Sequence, residues 1–322
     1  MPMKQMMKIA IALVPLLALG TVANAETFIR MVSGPAGGSW YPLAAKISEV
    51  LGKKIDGIAT SNGPGGGVGN VKDVNKGNAE IGWSYGHTAY NGFNGKGKFS
   101  KAQPNIRFFA TLYPAAFQTA VPKNSPIKTY ADMKDKNISP GKTTYSGYAA
   151  AEMVLKYYGL TLAKIKKNGG TVHHVGYSDS VSLMKDGNID VFIGLTSVPQ
   201  ASFLNLDFSP GIRFIGIEPD ILAKILKQNP GYLSTEIPTT AYKGVTKPVP
   251  TLGVATVLVI NKDVSDDIAY KMAKALWENH GQFVKVKKIW KKVTLENALR
   301  GAAIPVHPGA QRYYDEQGVK KN

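Results

Sequence analysis

Early in the chain a strand-like run, a glycine-rich turn and a helix-like run follow one another, and this junction restricts the folds open to the sequence. Phe28, Ile29, Met31 and Val32 alternate as in a strand, and Leu43, Ile47, Val50 and Leu51 recur at helical spacing. Between them, residues 33–42 read Ser-Gly-Pro-Ala-Gly-Gly-Ser-Trp-Tyr-Pro. Gly37 and Gly38 let the backbone turn sharply without a Cβ clash, and Ser39 is placed to cap the helix that follows. A turn that ends on a helix N-terminus leaves backbone N–H groups free, which suits a carboxylate or another anion. The commoner use of such a loop is a plain connection. Taken alone, the turn leaves both readings open.

The rhythm repeats. A strand near residues 55–60 leads to the glycine-rich loop 61–70 and a helix to Lys76, and residues 79–83 and 106–112 read as strands. It restarts after Tyr113-Pro114, with strands at 117–121, 137–138, 172–175 and 189–193 and helices ending at Tyr158 and spanning about 198–206. Residues 251–260 are apolar and β-branched, and residues 263–300 read as mostly helical. Strands alternating with helices predict an α/β fold with mainly parallel sheets. Two sheets are expected here, with residues 111–121 and 251–260 crossing between them. Ligands of such sheets sit beyond the carboxyl ends of the strands. That rule gathers loops 37–41, 62–67 and 84–87 on one rim and loop 139–147 with Thr196 on another.

Residues 1–25 stand apart. Lys4 and Lys8 precede an apolar run at 9–19, and Ala23-Asn24-Ala25 has the small-x-small pattern of a cleavage site. The stretch reads as a secretory signal peptide cut after Ala25. Its apolar run falls short of the ~20 residues a membrane span needs, and no later run approaches that length. With no cysteine there is neither a lipid-anchor residue nor a disulfide, so a periplasmic location is expected. The remaining chain exceeds what one hydrophobic core usually supports, which predicts two domains. Net charge is +17, the leader lysines included, and favours acidic partners. Nucleic acid is not expected among them: the basic residues are mostly scattered lysines, with few arginines (Arg30, Arg107, Arg213, Arg300, Arg312). The densest run, residues 285–292, carries Val286, Ile289 and Trp290 at helical spacing and reads as the wet face of an amphipathic helix, or as a docking surface for a membrane partner.

Signatures of cofactor chemistry fail on spacing. Gly63, Gly65, Gly67 and Gly69 miss the dinucleotide pattern, because Val68 or Asn70 occupies the third glycine's place. Gly141-Lys142-Thr143 misses the phosphate-loop pattern, because Lys136 stands where its first glycine belongs. His173 and His174, adjacent on a strand, face opposite sides, so a shared metal is not expected, and no cofactor is expected either. No nucleophile–base pair is visible, although triads assemble from distant positions. The rim loops share hydroxyl, amide and aromatic chemistry instead. Ser39, Trp40, Tyr41, Asn62, Gly65, Trp83, Ser84, Tyr85, Tyr113, Thr143, Thr144, Tyr145, Ser146 and Thr196 lie at or beside strand ends, with Lys142 the one base and no acid in these segments. They are the candidate ligand-binding residues of a small-molecule pocket. Trp83 reads equally well as core.

Several motifs in order carry a family resemblance. They are Gly37-Gly38-Ser39-Trp40-Tyr41-Pro42, Gly77-Asn78-Ala79-Glu80-Ile81-Gly82, Ala89-Tyr90-Asn91-Gly92, Leu112-Tyr113-Pro114, Tyr242-Lys243-Gly244, Pro305-Val306-His307-Pro308-Gly309-Ala310 and Tyr313-Tyr314. In this order they resemble the TAXI substrate-binding proteins of tripartite ATP-independent periplasmic (TRAP) transporters, over essentially the whole chain after the leader. The resemblance implies a two-lobed periplasmic binding protein, type II-like, with two doubly wound sheets joined by crossing strands. One lobe is expected over 26–112 and 255–322 and the other over 113–254. It further implies a monomer without catalysis, which closes on a small organic anion (a dicarboxylate, a keto acid or an amino-acid-like acid) and delivers it to the subunits of a TRAP membrane permease. Carried over by position, the ligand contacts are residues 39–41, 83–85, 144–147 and 195–197.

The chain departs from the family pattern at the site. Trp83-Ser84-Tyr85 stands where Phe-Val-Gln is usual, and Thr144-Tyr145-Ser146-Gly147 where Gly-Ser-Gly-Thr is usual. Gly67 and Gly69 replace a Ser and a Glu, and Ala115 replaces the Glu after Tyr-Pro. The bulk of Trp40, Trp83, Tyr85 and Tyr145 points to a small carboxylate with an apolar or ring portion, or to a small diacid clasped between rings. Two other outputs suit the same fold. One is a periplasmic sensor that presents its ligand to a membrane receptor. The other is an exported enzyme, which needs an acid–base pair that these rim segments do not offer.

Overall fold

The structure is a computed structural model that describes residues 26–229 and 231–320, so the signal-peptide expectation lies outside the described residues. The first half runs β1 (Thr27–Val32), α1 (Trp40–Lys54), β2 (Ile58–Gly63), α2 (Gly67–Lys76), β3 (Ile81–Tyr85) and α3 (Gly86–Phe93). α1 forms where Leu43, Ile47, Val50 and Leu51 share one face, and that face is buried. α2 stops at Gly77, whose positive φ of 73° closes the helix in a left-handed cap.

The long strand β4 (Ile106–Pro122) leads into the second half: β5 (Ile138–Ser139), α4 (Ser146–Tyr157), α5 (Leu162–Lys167), α6 (Tyr177–Lys185), β6 (Val191–Thr196), α7 (Ala201–Phe208), β7 (Ile212–Phe214), α8 (Pro219–Gln228) and β8 (Leu233–Ile237). A second long strand, β9 (Val249–Asn261), returns the chain to the first half. There α9 (Asp266–Glu278), α10 (His280–Val286) and α11 (Pro308–Glu316) complete the helices.

The strand order is β2-β1-β3-β9-β4-β6-β5, with β7 added on β4 and β8 on β9. This is the expected α/β architecture with crossing strands, but the strands form one continuous nine-stranded sheet and not the two sheets expected, because β4 and β9 pair with each other and carry the ladder from one half into the other. β9 pairs with β3 over residues 256–260 and with β8 over 249–253, while β4 pairs with β9 along both halves and with β6 at its far end. The outer pairs β1–β2, β1–β3 and β5–β6 are parallel. Every pair that includes β4 or β9 is antiparallel, which corrects the expectation of mainly parallel sheets. A chain that crosses to the second half on one strand and returns on another beside it must run the two in opposite directions.

Other sequence expectations shift. Residues 106–122 form one strand, although Tyr113-Pro114 reads as a break. The β4–β9 register slips between Thr111 and Pro114, and a proline is tolerated at such an irregularity because no ladder bond needs its missing N–H. The helix expected from 198 begins at Ala201, where the Gln200 side chain accepts from the N–H groups of Ser202 and Phe203 at 2.9 and 3.2 Å. Residues 172–175 form a single bridge, Ile138 to Val172, in place of a strand. The basic run 285–292 is not one helix: α10 ends at Val286, Lys287 is extended (φ −147°, ψ 126°), and a 3-10 turn spans Lys288–Lys292.

Candidate functional site

The N-termini of three helices meet at one small void. Ser39 and Trp40 at the start of α1, Gly66 and Gly67 at the start of α2, and Ser146 and Gly147 at the start of α4 wall it, with Pro35, Gly38, Tyr85, Tyr145, Tyr177, Leu195 and Thr196. None of the three helices has a side-chain cap or an acidic residue in its first turn. Their positive dipole ends are therefore not offset by a neighbouring carboxylate of the first turn. At α2 the amides of Val68 and Gly69 both donate to the Thr144 carbonyl at 3.1 Å, so part of that end is already used in joining the two halves.

The halves are in contact around the void. Ser39 Oγ and Ser197 Oγ lie 2.5 Å apart, the Tyr85 hydroxyl donates to the Leu195 carbonyl at 2.6 Å, and Thr88 Oγ1 donates to Ser146 Oγ at 3.0 Å. Gln200 Nε2 donates to the Gly37 carbonyl, and Ser178 Oγ to that of Ala36 at 3.3 Å. The space left is about 20 Å3, room for about one water. Any ligand of several heavy atoms enters only if the halves separate.

Lys287 adds a full positive charge. Its half-buried Nζ donates to Ser39 Oγ at 3.1 Å. Burial alone lowers its pKa from the usual lysine value, with no carboxylate acting to restore it among the described residues. The extended backbone at Lys287 turns this lysine inward, and Trp290 pins the segment, its ring 6.5 Å from that of Trp83, 6.2 Å from Tyr113 and 5.0 Å from Phe283. The lysine run is thus split: Lys285, Lys288, Lys291 and Lys292 are exposed, and Lys287 is half-buried against Ser39. Sequence reasoning passed over it. The available signal was a lysine three positions before a tryptophan.

Aromatic rings complete the wall. Trp40 lies 4.8 Å from Tyr85 and 5.9 Å from Trp83 between ring centroids, and Tyr145 meets Tyr177 edge-on at 5.9 Å. Burial, with the nearby Asp179 carboxylate second, pushes the Tyr145 pKa up to about 12, so its hydroxyl stays a donor.

Of the fourteen residues expected at the site, Ser39, Trp40, Tyr85, Tyr145, Ser146 and Thr196 wall the void. The others do not, for local reasons. Trp83 is fully buried behind Trp40, its Nε1 donating to Met31 Sδ at 3.3 Å, and Tyr113 is buried behind Trp83. Ser84 faces the opposite side of β3 from Trp83 and Tyr85 and donates to the Gly67 carbonyl at 3.0 Å. A Cβ on Gly65 would stand 2.1 Å from Asn70 Oδ1, so this glycine makes way for Asn70. Asn70 in turn ties Ser33 to Trp83 through their carbonyls at 2.6 and 2.7 Å. Tyr41 is about 100° around the helix from Trp40, and its ring is exposed. Asn62 donates to the Tyr41 carbonyl at 3.4 Å, and the side chains of Thr143 and Thr144 are exposed.

Among the described residues no cluster of three or more His, Asp or Glu is placed to hold a metal ion, and no helix is long and apolar enough to cross a membrane.

The periplasmic binding protein BugD superposes with a TM-score of 0.54 at 14% identity, covering 92% of this chain and 99% of that one. The alkanesulfonate-binding protein SsuA from Xanthomonas axonopodis pv. citri, bound to MOPS, matches at a TM-score of 0.47 and 13% identity, over 90% of this chain and 83% of its own. The substrate-binding protein of an amino acid ABC transporter matches at 0.47 and 12%, over 82% and 99%. The likeness to BugD is one of fold, that of the periplasmic binding proteins. The model of the NMT1-like family matches residues 31–318, and the chain belongs to that family.

Proposed function

We propose that the protein is an exported solute-binding protein that captures a small organic acid between its lobes and hands it to the permease of a TRAP transporter. One observation carries the acid: the N-termini of α1 and α4 meet at a void that no Asp or Glu among the described residues walls, and the Lys287 ammonium donates to Ser39 Oγ, one of its wall groups. Helix ends, hydroxyls and a lysine without a carboxylate partner stabilise negative charge together, and each loses less to water screening in a closed cleft. Ser39, Ser146 and Thr196 supply hydroxyls, and Trp40, Tyr85 and Tyr145 supply faces for an apolar or ring portion. A dicarboxylate, a keto acid or an amino-acid-like acid with such a portion fits this chemistry.

The lobes comprise residues 26–112 with 255–322, and 113–254. The slip in β4–β9 register between Thr111 and Pro114 falls at this boundary and supports a hinge there. Ligand favours closure, and the closed monomer docks on the permease. The TRAP assignment rests on the resemblance of the motifs to TAXI proteins, and the binding-protein fold supports it.

A thermal-shift panel tests the reading. A ligand at 100 times its Kd stabilises by about 2.7 kcal/mol, so organic acids at ~1 mM are expected to raise Tm, while amines and sugars leave it unchanged. A panel in which only sugars or amines raise Tm overturns it.

A further inference from the structure

The void at the helix ends is not the whole of the cleft. Past the hydrogen bond from Thr88 Oγ1 to Ser146 Oγ (3.0 Å) lies a chamber of about 720 Å3, within the roughly 300–1,000 Å3 typical of small-molecule sites. Residues of α2, α3 and the loop at 97–99 form one side, and α4, the end of α8 and Tyr232 form the other. The partition from the void is thin. Gly67 walls the void and its neighbour Val68 the chamber. Tyr85 on the void side stacks over His87 on the chamber side, 6.2 Å between centroids and 9° between planes.

The partition is made by groups from opposite halves of the molecule. Thr88 follows β3 and Ser146 begins α4, so the separation that admits a ligand also breaks their bond and joins the two spaces. Phe99, Met153, Tyr157 and Tyr232 give the chamber apolar surface, and Asn91 and Asn229 give it neutral polar edges. Of its three charged groups, Lys98 pairs with Glu152 and also lies 4.8 Å over the Tyr148 ring, while Lys156 is exposed to solvent at the edge. The apolar and aromatic surface therefore suits a bulky apolar group, with the Lys156 charge left in solvent.

We propose that this chamber holds the body of the ligand, an aromatic or comparably bulky apolar group, while its carboxylate sits at the helix N-termini beside Lys287. The proposal rests on the acid-binding reading above and assigns the chemistry of the rest of the molecule.

Acids sharing one head, with and without a ring, test it by calorimetry: pyruvate against phenylpyruvate, succinate against phenylsuccinate, and alanine against phenylalanine. In at least one pair the ring is expected to improve affinity tenfold or more. Met153→Trp on α4, and separately Asn91→Phe on α3, fill the chamber from its two sides. Each is expected to abolish the gain from the ring while the ringless acid binds as before, which also shows that the variant is folded. A wild type with no ring preference in any pair, or a preference that survives both substitutions, overturns the chamber assignment and leaves the acid reading standing. Failure of every organic acid to bind overturns both.

Discussion

Ser39 and Ser197 touch hydroxyl to hydroxyl at 2.5 Å across the cleft, although 158 residues separate them in the chain. Ser39 occupies the N-cap position of α1, yet its side chain makes no capping bond. It receives Lys287 Nζ at 3.1 Å and lies 3.4 Å from Thr196 Oγ1. A hydroxyl released from its helix and surrounded by polar groups of both lobes is well placed to meet a ligand oxygen. Hydrogen bonds to charged groups contribute about 1.5–3 kcal/mol. Ser39→Ala is thus expected to weaken carboxylate binding by roughly ten- to a hundredfold, with little change in helix stability because no cap is lost. Calorimetry with the best acid of the thermal panel checks the first, and circular dichroism melting the second. Equal affinities in the two proteins count against a ligand contact at Ser39.

Lys287 gives a prediction with a sign in pH. Burial holds its pKa below the usual lysine value in the unliganded protein. A carboxylate bound beside it stabilises the ammonium and raises that pKa, so binding takes up a proton. Affinity is then expected to fall as pH rises through the pKa of the free form. Lys287→Met is expected to lower affinity at neutral pH at least tenfold and to flatten the alkaline decline. The same variant removes a desolvated charge, which should raise Tm in the absence of ligand. Lys288→Glu and Lys291→Glu, on the exposed side, are expected to leave affinity unchanged. An alkaline decline that persists in Lys287→Met assigns it to another group.

The contrast between Ser39 and Lys287 shows which parts of the site the sequence made legible. The turn at 37–39 and helix α1 are encoded within a few residues by glycine and by apolar spacing. The strand-end rule then brought Tyr85, Tyr145, Ser146 and Thr196 to the rim, where they wall the void. Lys287 reaches Ser39 across 248 positions, and its run of lysines mimics an exposed helix until a buried Trp290 is seen to pull the backbone inward. Trp83 and Tyr113 share the composition of the rim but sit one layer behind it, and composition carries no depth. β4 reads as two strands because Pro114 looks like a terminator, and only the partner strand shows the register slip that accommodates it. β8 escaped notice for a simpler reason: along Leu233–Ile237 only Ile237 is buried, so no apolar alternation marks it.

Gly66 reports on closure. A Cβ at this position would lie 2.3 Å from Tyr145 Cδ1 and 2.9 Å from the Thr144 carbonyl oxygen, both in the opposing half. The backbone itself is extended (φ −168°, ψ 145°), so alanine strains nothing within its own lobe. Gly66→Ala is therefore expected to leave folding intact while opposing the approach of the lobes. Overpacking of this kind costs about 1–3 kcal/mol, which lowers ligand affinity by roughly five- to a hundredfold if binding requires closure. Small-angle scattering should give a larger radius of gyration for the variant than for wild type. A variant as compact and as tight-binding as wild type shows that the void is not the closing contact.

His87 is expected to make stability fall in acid. Burial alone lowers its pKa from 6.5 to about 3. Tyr232 and Tyr85 cover the ring, and the charged groups that line the chamber with it are the Lys98–Glu152 pair and Lys156. Nε2 is 2.9 Å from the Tyr232 hydroxyl and 3.1 Å from Thr88 Oγ1, while Nδ1 has no partner among the described residues. The folded protein keeps this ring neutral where the unfolded chain protonates it. Its contribution is fully present above about pH 6.5 and is lost as pH falls toward 3, with a slope of at most about 1.4 kcal/mol per pH unit. His174 and His307 are also lowered chiefly by burial and act in the same direction. The readout is therefore the difference between wild type and His87→Gln, which is neutral throughout. Urea unfolding from pH 7 to pH 4 is expected to show wild type losing stability faster than the variant. Parallel curves place the acid sensitivity in the other two histidines and the carboxylates.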